Sequence, residues 1–395
     1  EPQRSKKDTL MKALQLVAPR KLELRDVPDP VIDPERAEDA DKCVVNIKAC
    51  GLCGTDKFFW KSEGWIDYPR VLGHEIAGTI EDVGEMSCIG ERTGPWLQPG
   101  DRVIINNIIS CQTCDTCRAN QENLCQNQHF LSFHVDGGLA QKIKVPYRNL
   151  VKLPNNVSFE VGSLLACAGG TALRAINIAH LRTAESVVVW GSSGVGLFLV
   201  LLAARITGAY PIILVGRHEH QLMLGEELGA DYVVHCGKED VVERVESLTG
   251  GASVVFDTAG VTEKDDEGYL VTLRHLRPGG QLISIASFRE PLELRPHQEI
   301  GVFERDIKGS AGYLQSELEG LVKLTAARRF PVWRLIDRTV KLEAVPDLME
   351  EWDARGGVTR VIVAPNGKPV GGPKHADEPA MESLETAESF SEGSS

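Results

Sequence analysis

The sequence predicts an α/β protein made of a doubly wound parallel sheet and a second, irregular β-barrel-like domain. Three observations support this. Between Ser186 and Ser310, strand-length apolar runs alternate with helix-length segments. A glycine loop, Gly191-Ser-Ser-Gly194-Val-Gly196, stands directly after the first of those strands. Ahead of them, the chain is mostly short strands and turns broken by Pro and Gly.

Met11 to Asp26 alternates weakly and reads as a starting hairpin, after which Pro28, Pro30 and Pro34 break regular structure. Cys43 to Cys50 (CVVNIKAC) alternates as a strand does. Val71 to Gly84 is rich in Gly and β-branched residues, and PGDRV at Pro99 to Val103 is a turn entering a strand that VIINNII continues. A cysteine-rich lobe follows, then DGGLAQKIKVP (Asp136 to Pro146) and a turn at Pro154 to Asn156.

The strands expected in the parallel sheet are Ser186 to Trp190, Pro211 to Gly216, Asp231 to His235, Ser253 to Asp257, Gln281 to Ala286 and Asp306 to Ser310. From about Tyr313 the chain reads as helices plus one final strand, Val358 to Pro365, which returns to the first domain. The division expected is therefore one domain at 11–166 and 313–365 and another at 167–312. Residues 1–10 read as a flexible extension. Residues 366–395 read as a disordered acidic tail, too poor in apolar side chains to offset ordering entropy.

A chain of 395 residues fits about two domains at ~100–200 residues each. The formal net charge of −13 argues against nucleic acid, which needs a basic face. No run of ~18 apolar residues stands out, so no membrane span is expected. The start, EPQRSKKDTL, lacks the apolar core of a secretory signal. Of ten cysteines, Cys111, Cys114, Cys117 and Cys125 form a C-x2-C-x2-C-x7-C array. Thiols that close together suit one tetrahedral zinc better than separate disulfides, and four thiolates leave no open position, so that zinc is structural. This favours a reducing compartment, the cytosol.

A second metal set is spread along the chain. CGLCGTD holds Cys53, and GHEIAG holds His74, 21 positions later. Cys167, in LLACAGGTAL at the junction of the two domains, is by itself an ordinary buried cysteine. Taken with Cys53 and His74 it completes a Cys2His set with one open position, the catalytic arrangement of zinc. The glycine loop supplies a tight turn, close approach to a pyrophosphate and a helix N-terminus facing its charge: Gly191, Ser193, Gly194, Val195 and Gly196 are the candidate contacts. Ser193 stands where the common pattern has its second glycine. The second strand ends in Gly216, Arg217 and His218, with Gly216 where an acid would bind the ribose of NAD. A glycine leaves room for a 2′-phosphate and Arg217 pairs with it, so NADP(H) is expected over NAD(H). Stacking on adenine is the other role open to Arg217.

Taken in order, CGLCGTD, GHEIAG, the four-cysteine array, LLACAGGTA and GSSGVG resemble the zinc-dependent medium-chain alcohol dehydrogenases from about Met11 to Pro365. That resemblance implies a GroES-like catalytic domain, a Rossmann coenzyme domain, an active site in the cleft between them, and two zinc ions per chain. Carried over, Cys53, His74 and Cys167 match the catalytic zinc ligands, Glu75 the glutamate beside the metal, and Asp56 the carboxylate that orients the histidine. Thr55 matches the hydroxyl that takes the alcohol's proton. Arg360 matches the late arginine that approaches Glu75 and the pyrophosphate, although a surface arginine on an edge strand reads the same way in the sequence.

Two positions depart from the family. Phe58 stands where many members carry a proton-relaying histidine, so the relay must stop at a ribose hydroxyl or use water. Gly54 stands where some members place a cation on the pyrophosphate. The implied reaction is reversible alcohol oxidation by hydride transfer to the coenzyme. A polar Asn107 before the cysteine lobe favours a polyol or sugar-like secondary alcohol. Phe58, Phe59, Trp60 and Trp65 read as pocket wall or as core, and His129 and His134 as loop residues. Cys43, Cys50, Cys88 and Cys236 read as small packing or surface residues. The rivals are a carbonyl or enone reductase of the same superfamily and a non-catalytic nucleotide-binding relative. The resemblance implies a homodimer or homotetramer acting on a small alcohol or carbonyl compound.

Overall fold

The computed structural model describes residues 9–88, 97–261, 263–264, 270–286, 291–327 and 330–367, with Ser87 and Cys88 described by backbone alone. Residues 1–8 of the expected extension and 368–395 of the expected tail lie outside this set, whereas Leu10 opens the strand Leu10–Ala18 and Asn366 Nδ2 donates to the Ile47 and Gln141 carbonyls at 2.8 Å.

All six expected strands are present in one parallel six-stranded sheet: Val187–Trp190, Ile212–Gly216, Tyr232–His235, Ala252–Asp257, Leu276–Ser284 and Asp306–Gly309. Their spatial order is third, second, first, fourth, fifth, sixth. The order reverses beside the first strand, and the crevice at such a reversal is where open α/β sheets bind ligands. Val187, Val188 and Val189 are fully buried. A strand covered on both faces reads as a continuous apolar run, which is why these strands were legible. The fifth strand begins at Leu276, earlier than its apolar run, because Arg277 to Gly280 is absorbed as a register irregularity against Ala252–Asp257.

A second sheet of seven strands has Lys42–Leu52 at its centre. This strand pairs antiparallel with Glu75–Val83, placing Gly51 opposite Glu75. On its other side it pairs with Val361–Val363, placing Leu52 opposite Val361. The register brings three chain crossings to one corner of the sheet. Cys53 follows Leu52, His74 precedes Glu75, and Arg360 precedes Val361.

Three local expectations need correction. The final strand covers only Val361–Val363, so Arg360 precedes it, and a further strand, Arg338–Val340, pairs parallel with it. The run VIINNII is split into Arg102–Ile105 and Ile108–Ile109, because Asn106 Oδ1 accepts the Ile108 amide at 3.0 Å and turns the chain. Among the described residues one helical run, Phe159–Ala179, is long and apolar enough by length and composition to cross a membrane, a run that did not stand out in the sequence. Most of it is buried inside the protein, where it packs as a core helix. It begins with Ser158, whose Oγ accepts the Val161 amide, and widens into a π turn at Leu165–Gly169 before continuing as Gly170–Ala179.

Candidate active site

Cys53 caps the helix Gly54–Lys61. Its amide donates to Asp56 Oδ2 at 2.9 Å. Asp56 Oδ1 accepts the Gly73 amide at 2.9 Å and lies 3.2 Å from His74 Nδ1. One buried carboxylate thus fixes both the Cys53 turn and the His74 loop. Ser132 Oγ also lies 3.2 Å from Nδ1. With a carboxylate at Nδ1, a proton is favoured there, and in the neutral ring the lone pair is then on Nε2. His74 Nε2 is buried and has no hydrogen-bond partner among the described residues.

Cys167 arrives on the π turn, a helical irregularity frequent at functional sites. Tyr313 supports that turn. Its ring lies against Gly170, where an added Cβ would stand 2.6 Å from the ring, and its hydroxyl donates to the Ala166 carbonyl. Cys53, His74, Glu75 and Cys167 each place one ligand atom within 4.8 Å of the others. Contact with the Cys167 thiol, aided by His74, draws Cys53 well below the usual thiol range against the opposing effect of burial. Burial also opposes charge on His74, but Asp56 and the Cys53 sulfur outweigh it and raise its pKa well above the ordinary imidazole value. Burial pushes the Glu75 carboxyl up to about 7, with Arg360 pulling the other way.

Arg360 closes the corner. It is only 3% exposed, so it is no surface arginine. Its Nη1 donates to the Leu52 carbonyl at 3.2 Å and lies 3.2 Å from Glu75 Oε1. Its guanidinium covers Gly194 at the start of the helix Gly194–Ile206, so closely that a Cβ there would stand 2.0 Å from Nη2. Ser193 is the N-cap of that helix and is exposed, with Val195 half-buried. Gly191 adopts φ +114°, and its carbonyl would lie 1.7 Å from a Cβ on Gly196, so the turn tolerates no side chain there. Gly216 backs onto Ser192, Arg217 is exposed, and His218 caps the next helix.

Thr55 Oγ1 lies 3.8 Å from Cys53 Sγ. The aromatic run divides. Phe59 and Trp60 are core, whereas Trp65 is 56% exposed and packs edge-on to the half-buried Phe58. Asn107 is buried, and its Oδ1 accepts the Tyr313 hydroxyl at 3.2 Å. His134 Nδ1 accepts the Phe130 amide, a loop role.

In the cysteine lobe, the sulfurs of Cys111, Cys114, Cys117 and Cys125 lie within 4.8 Å of one another. The Cys114–Cys125 separation is 3.8 Å and the Cys111–Cys117 separation 4.0 Å. A tetrahedron with zinc–sulfur arms of about 2.3 Å has edges of about 3.8 Å. A disulfide would need about 2.05 Å. The Thr113 hydroxyl and nearby amides hold Cys111 down at about 5, while burial pushes Cys117 up to about 12. The lobe is pinned by Asn123 Nδ2, which donates to Ala311 O, and by Glu122 Oε1, which accepts the Gln315 amide, both at 2.8 Å.

Residues 39–155 match the alcohol dehydrogenase GroES-like domain, and residues 194–327 match the zinc-binding dehydrogenase domain. The chain belongs to the zinc-dependent medium-chain alcohol dehydrogenase family. A probable D-xylulose reductase A of Aspergillus clavatus is 31% identical to this dehydrogenase over 336 residues, covering 82% of this chain and 90% of the relative. An uncharacterised zinc-type alcohol dehydrogenase-like protein of Haemophilus influenzae is 28% identical, with coverage of 86% and 94%. The crystal structure of a zinc-binding dehydrogenase from Sinorhizobium meliloti, bound to NADP, superposes with a TM-score of 0.80 at 28% identity, covering 91% of this chain and all of that one.

Both side-chain sets fit the zinc that the family implies. The orphaned Nε2 of His74 faces two thiols and a carboxylate, and the lobe sulfurs have the spacing of a thiolate tetrahedron. The crevice fits a nicotinamide dinucleotide, with a helix N-terminus and a buried guanidinium side by side. Ser132, Tyr313 and Gln221 support this site, and the sequence did not single them out. Ser132 and Tyr313 lie far along the chain from the groups they hold, in no motif. Gln221 lies in a helix that also carries Glu219, His220, Glu226 and Glu227, where one more polar residue gives no signal.

Proposed function

We propose that this dehydrogenase interconverts an alcohol and its carbonyl compound by reversible hydride exchange with a nicotinamide coenzyme, NADP(H) in preference to NAD(H). One observation carries the proposal: two thiols, an imidazole with a free Nε2 and a buried carboxylate converge beside the glycine loop. Cys53, His74 and Cys167 would hold one zinc, with Glu75 beside it, and Cys111, Cys114, Cys117 and Cys125 a second. When bound, the first zinc supplies Lewis acidity that lowers the alcohol's pKa, and the nicotinamide accepts hydride.

The chain's own residues do the rest. Asp56 holds the His74 proton at Nδ1 and keeps the Nε2 lone pair turned to the cluster. Thr55, the second residue of the helix that Cys53 caps, is placed to take the substrate's hydroxyl proton. Phe58 offers no protic group beyond it, so that proton stops at a ribose hydroxyl or leaves through water. Arg360 pairs with Glu75 at the cluster and gives the crevice a positive wall for a pyrophosphate.

The substrate we favour is a polyol or sugar-like secondary alcohol. Its support is the Aspergillus relative named as a D-xylulose reductase, together with Asn107, whose buried Nδ2 has no hydrogen-bond partner among the described residues. NADP(H) is supported by Gly216, the exposed Arg217 and the NADP-bound neighbour. We further assign residues 11–166 and 313–365 to the catalytic domain and 167–312 to the coenzyme domain, and place the enzyme in the cytosol. A homodimer or homotetramer completes the proposal. Its support is the edge strand Asp306–Gly309, which among the described residues pairs on one side only, with the exposed Val302 close before it.

The test is a panel of polyols and simple alcohols assayed with both coenzymes by nicotinamide absorbance, together with zinc content. Two zinc per chain and a higher kcat/KM with NADP+ are expected. An equal or higher kcat/KM with NAD+ would sink the coenzyme preference, and faster turnover of simple aliphatic alcohols would sink the substrate class.

A further inference from the structure

Gln221 sits in the helix Glu219–Leu228, which follows the second strand of the parallel sheet, and is only 2% exposed. Its amide is fully engaged. Oε1 accepts the Ser192 hydroxyl at 3.0 Å. Nε2 donates to the Gly357 carbonyl at 3.2 Å and to the Val358 carbonyl at 3.3 Å. The neighbouring His220 ring adds a contact from Nε2 to Gly357 O at 2.6 Å. One side chain therefore joins three segments: the glycine loop through Ser192, the second strand's helix, and the crossover that leads into Arg360.

The crossover needs such support. Gly356 and Gly357 both have positive φ, +64° and +73°, and no regular strand begins until Val361. Consecutive glycines leave a chain with much conformational freedom unless side chains fix it. Asp337 Oδ2, accepting the Thr359 amide at 2.8 Å, is the next anchor along. Two residues past Val358, Arg360 must reach Gly194 and Glu75 together.

We propose that Gln221 is a positioning residue for the coenzyme, a latch that locks the Gly356–Val358 crossover to the glycine loop and so holds Arg360 over the helix start where the pyrophosphate binds. The latch rests on the coenzyme occupying the crevice at that loop. Gln221 touches no reacting atom. It acts through Arg360 and Ser192, and its effect falls on coenzyme binding and not on the hydride step.

The experiment is a double-mutant cycle on the zinc-loaded full chain, with the dissociation constants of NADPH and NADH read by nucleotide fluorescence and kcat measured at saturating coenzyme. Gln221→Met keeps the side-chain volume and removes all three hydrogen bonds. It is expected to raise the coenzyme dissociation constant about tenfold, to leave kcat at saturation within about twofold and to keep both zinc ions. Arg360→Lys weakens binding in the wild-type background, but its further effect in the Gln221→Met background should be at least about fivefold smaller, because the two residues act as one unit. Gln221→Glu, which retains the Ser192 bond and loses both carbonyl bonds, should weaken NADH and NADPH alike. Multiplicative effects in the double variant, or a loss in kcat with unchanged dissociation constants, would overturn the latch while leaving the coenzyme site intact. Failure of the wild-type chain to bind either nucleotide would overturn the coenzyme reading, and the latch with it. If Gln221→Met does not fold, Ser192→Ala combined with Arg360→Lys runs the same cycle from the other end of the bridge.

Discussion

Arg360 Nη1 lies 3.2 Å from Glu75 Oε1, and both side chains are buried. Neither Glu75 oxygen makes a well-aligned hydrogen bond among the described residues. The pair is therefore held by charge and by its surroundings, with Glu75 lying against Gly51 and Arg360 against Gly194. Removing one partner of a buried ion pair strands the other. Arg360→Met should destabilise the zinc-loaded protein by about 3–5 kcal/mol, read as a shift of the urea midpoint at constant slope. Arg360→Met combined with Glu75→Gln should recover much of that loss. A double variant no more stable than the single one would show that packing against Gly194, and not the stranded carboxylate, sets the effect.

The proposed metal site predicts a division between metal and fold. Cys53→Ala should give a folded protein that retains one zinc of two and loses nearly all turnover. The same substitution at Cys125 should remove the other zinc and lower thermal stability, because the lobe has little core of its own. Asp56→Asn keeps one acceptor oxygen of two and removes the charge, so either the Cys53 amide or the Gly73 amide together with His74 Nδ1 is left facing an NH2 donor. A loss of about 10–100-fold in affinity for the first zinc is expected, measured by competition with a chromophoric chelator. An unchanged affinity would remove Asp56 from the site.

What was legible in the sequence and what was not divide along physical lines. The convergence of the four lobe cysteines was legible in their close spacing, whereas Cys53, His74 and Cys167, far apart in the chain, were grouped as a Cys2His set and matched to ligands through the family resemblance. The parallel sheet was legible because strands buried on both faces must be continuously apolar. Arg360 was legible as a residue but not in its setting. Its burial depends on the register that places Leu52 opposite Val361, and register is a long-range property. Ser132 and Gln221 were invisible for a related reason, since a serine or glutamine acquires meaning only from the group it reaches, here His74 Nδ1 and the crossover carbonyls. The Phe159–Ala179 helix was missed because its polar residues break the apolar run while the rest of its surface is core.

His275 is expected to make the fold acid-sensitive. Its ring is buried against Trp190, at a centroid distance of 4.9 Å, and neither ring nitrogen has a hydrogen-bond partner among the described residues. Burial drives its pKa from 6.5 down to about 4. The folded value is the depressed one, so the unfolded chain binds the proton first as pH falls. Stability from this group is fully present above about pH 6.5 and is lost progressively down to about pH 4. Between pH 7 and pH 5 the loss should be about 2 kcal/mol. His275→Phe, which keeps the packing on Trp190, should remove that part of the pH dependence in urea unfolding. If the two proteins lose stability in parallel, His275 is not the group responsible.

The last prediction separates the two readings of Arg217, and Gly216 beside it sets the frame. An added Cβ at Gly216 would stand 2.3 Å from Ser192 Oγ, and Ser192 is in turn held by Gln221. The missing acid at the end of the second strand therefore has a packing cause as well as an electrostatic one. Gly216→Asp should not switch the enzyme to NAD+. The side chain must displace Ser192 and with it the glycine loop, so kcat/KM should fall with both coenzymes. Arg217 is exposed and free of that constraint. Arg217→Ala should lower kcat/KM for NADP+ about tenfold or more, as expected for losing a charge-assisted bond to a phosphate, and leave NAD+ within about twofold. A proportional loss with both coenzymes would instead assign Arg217 to stacking on the adenine that both share. In that case the choice between the coenzymes would rest on groups other than Arg217, and His218, which caps the next helix at the same strand end, would be the first to test.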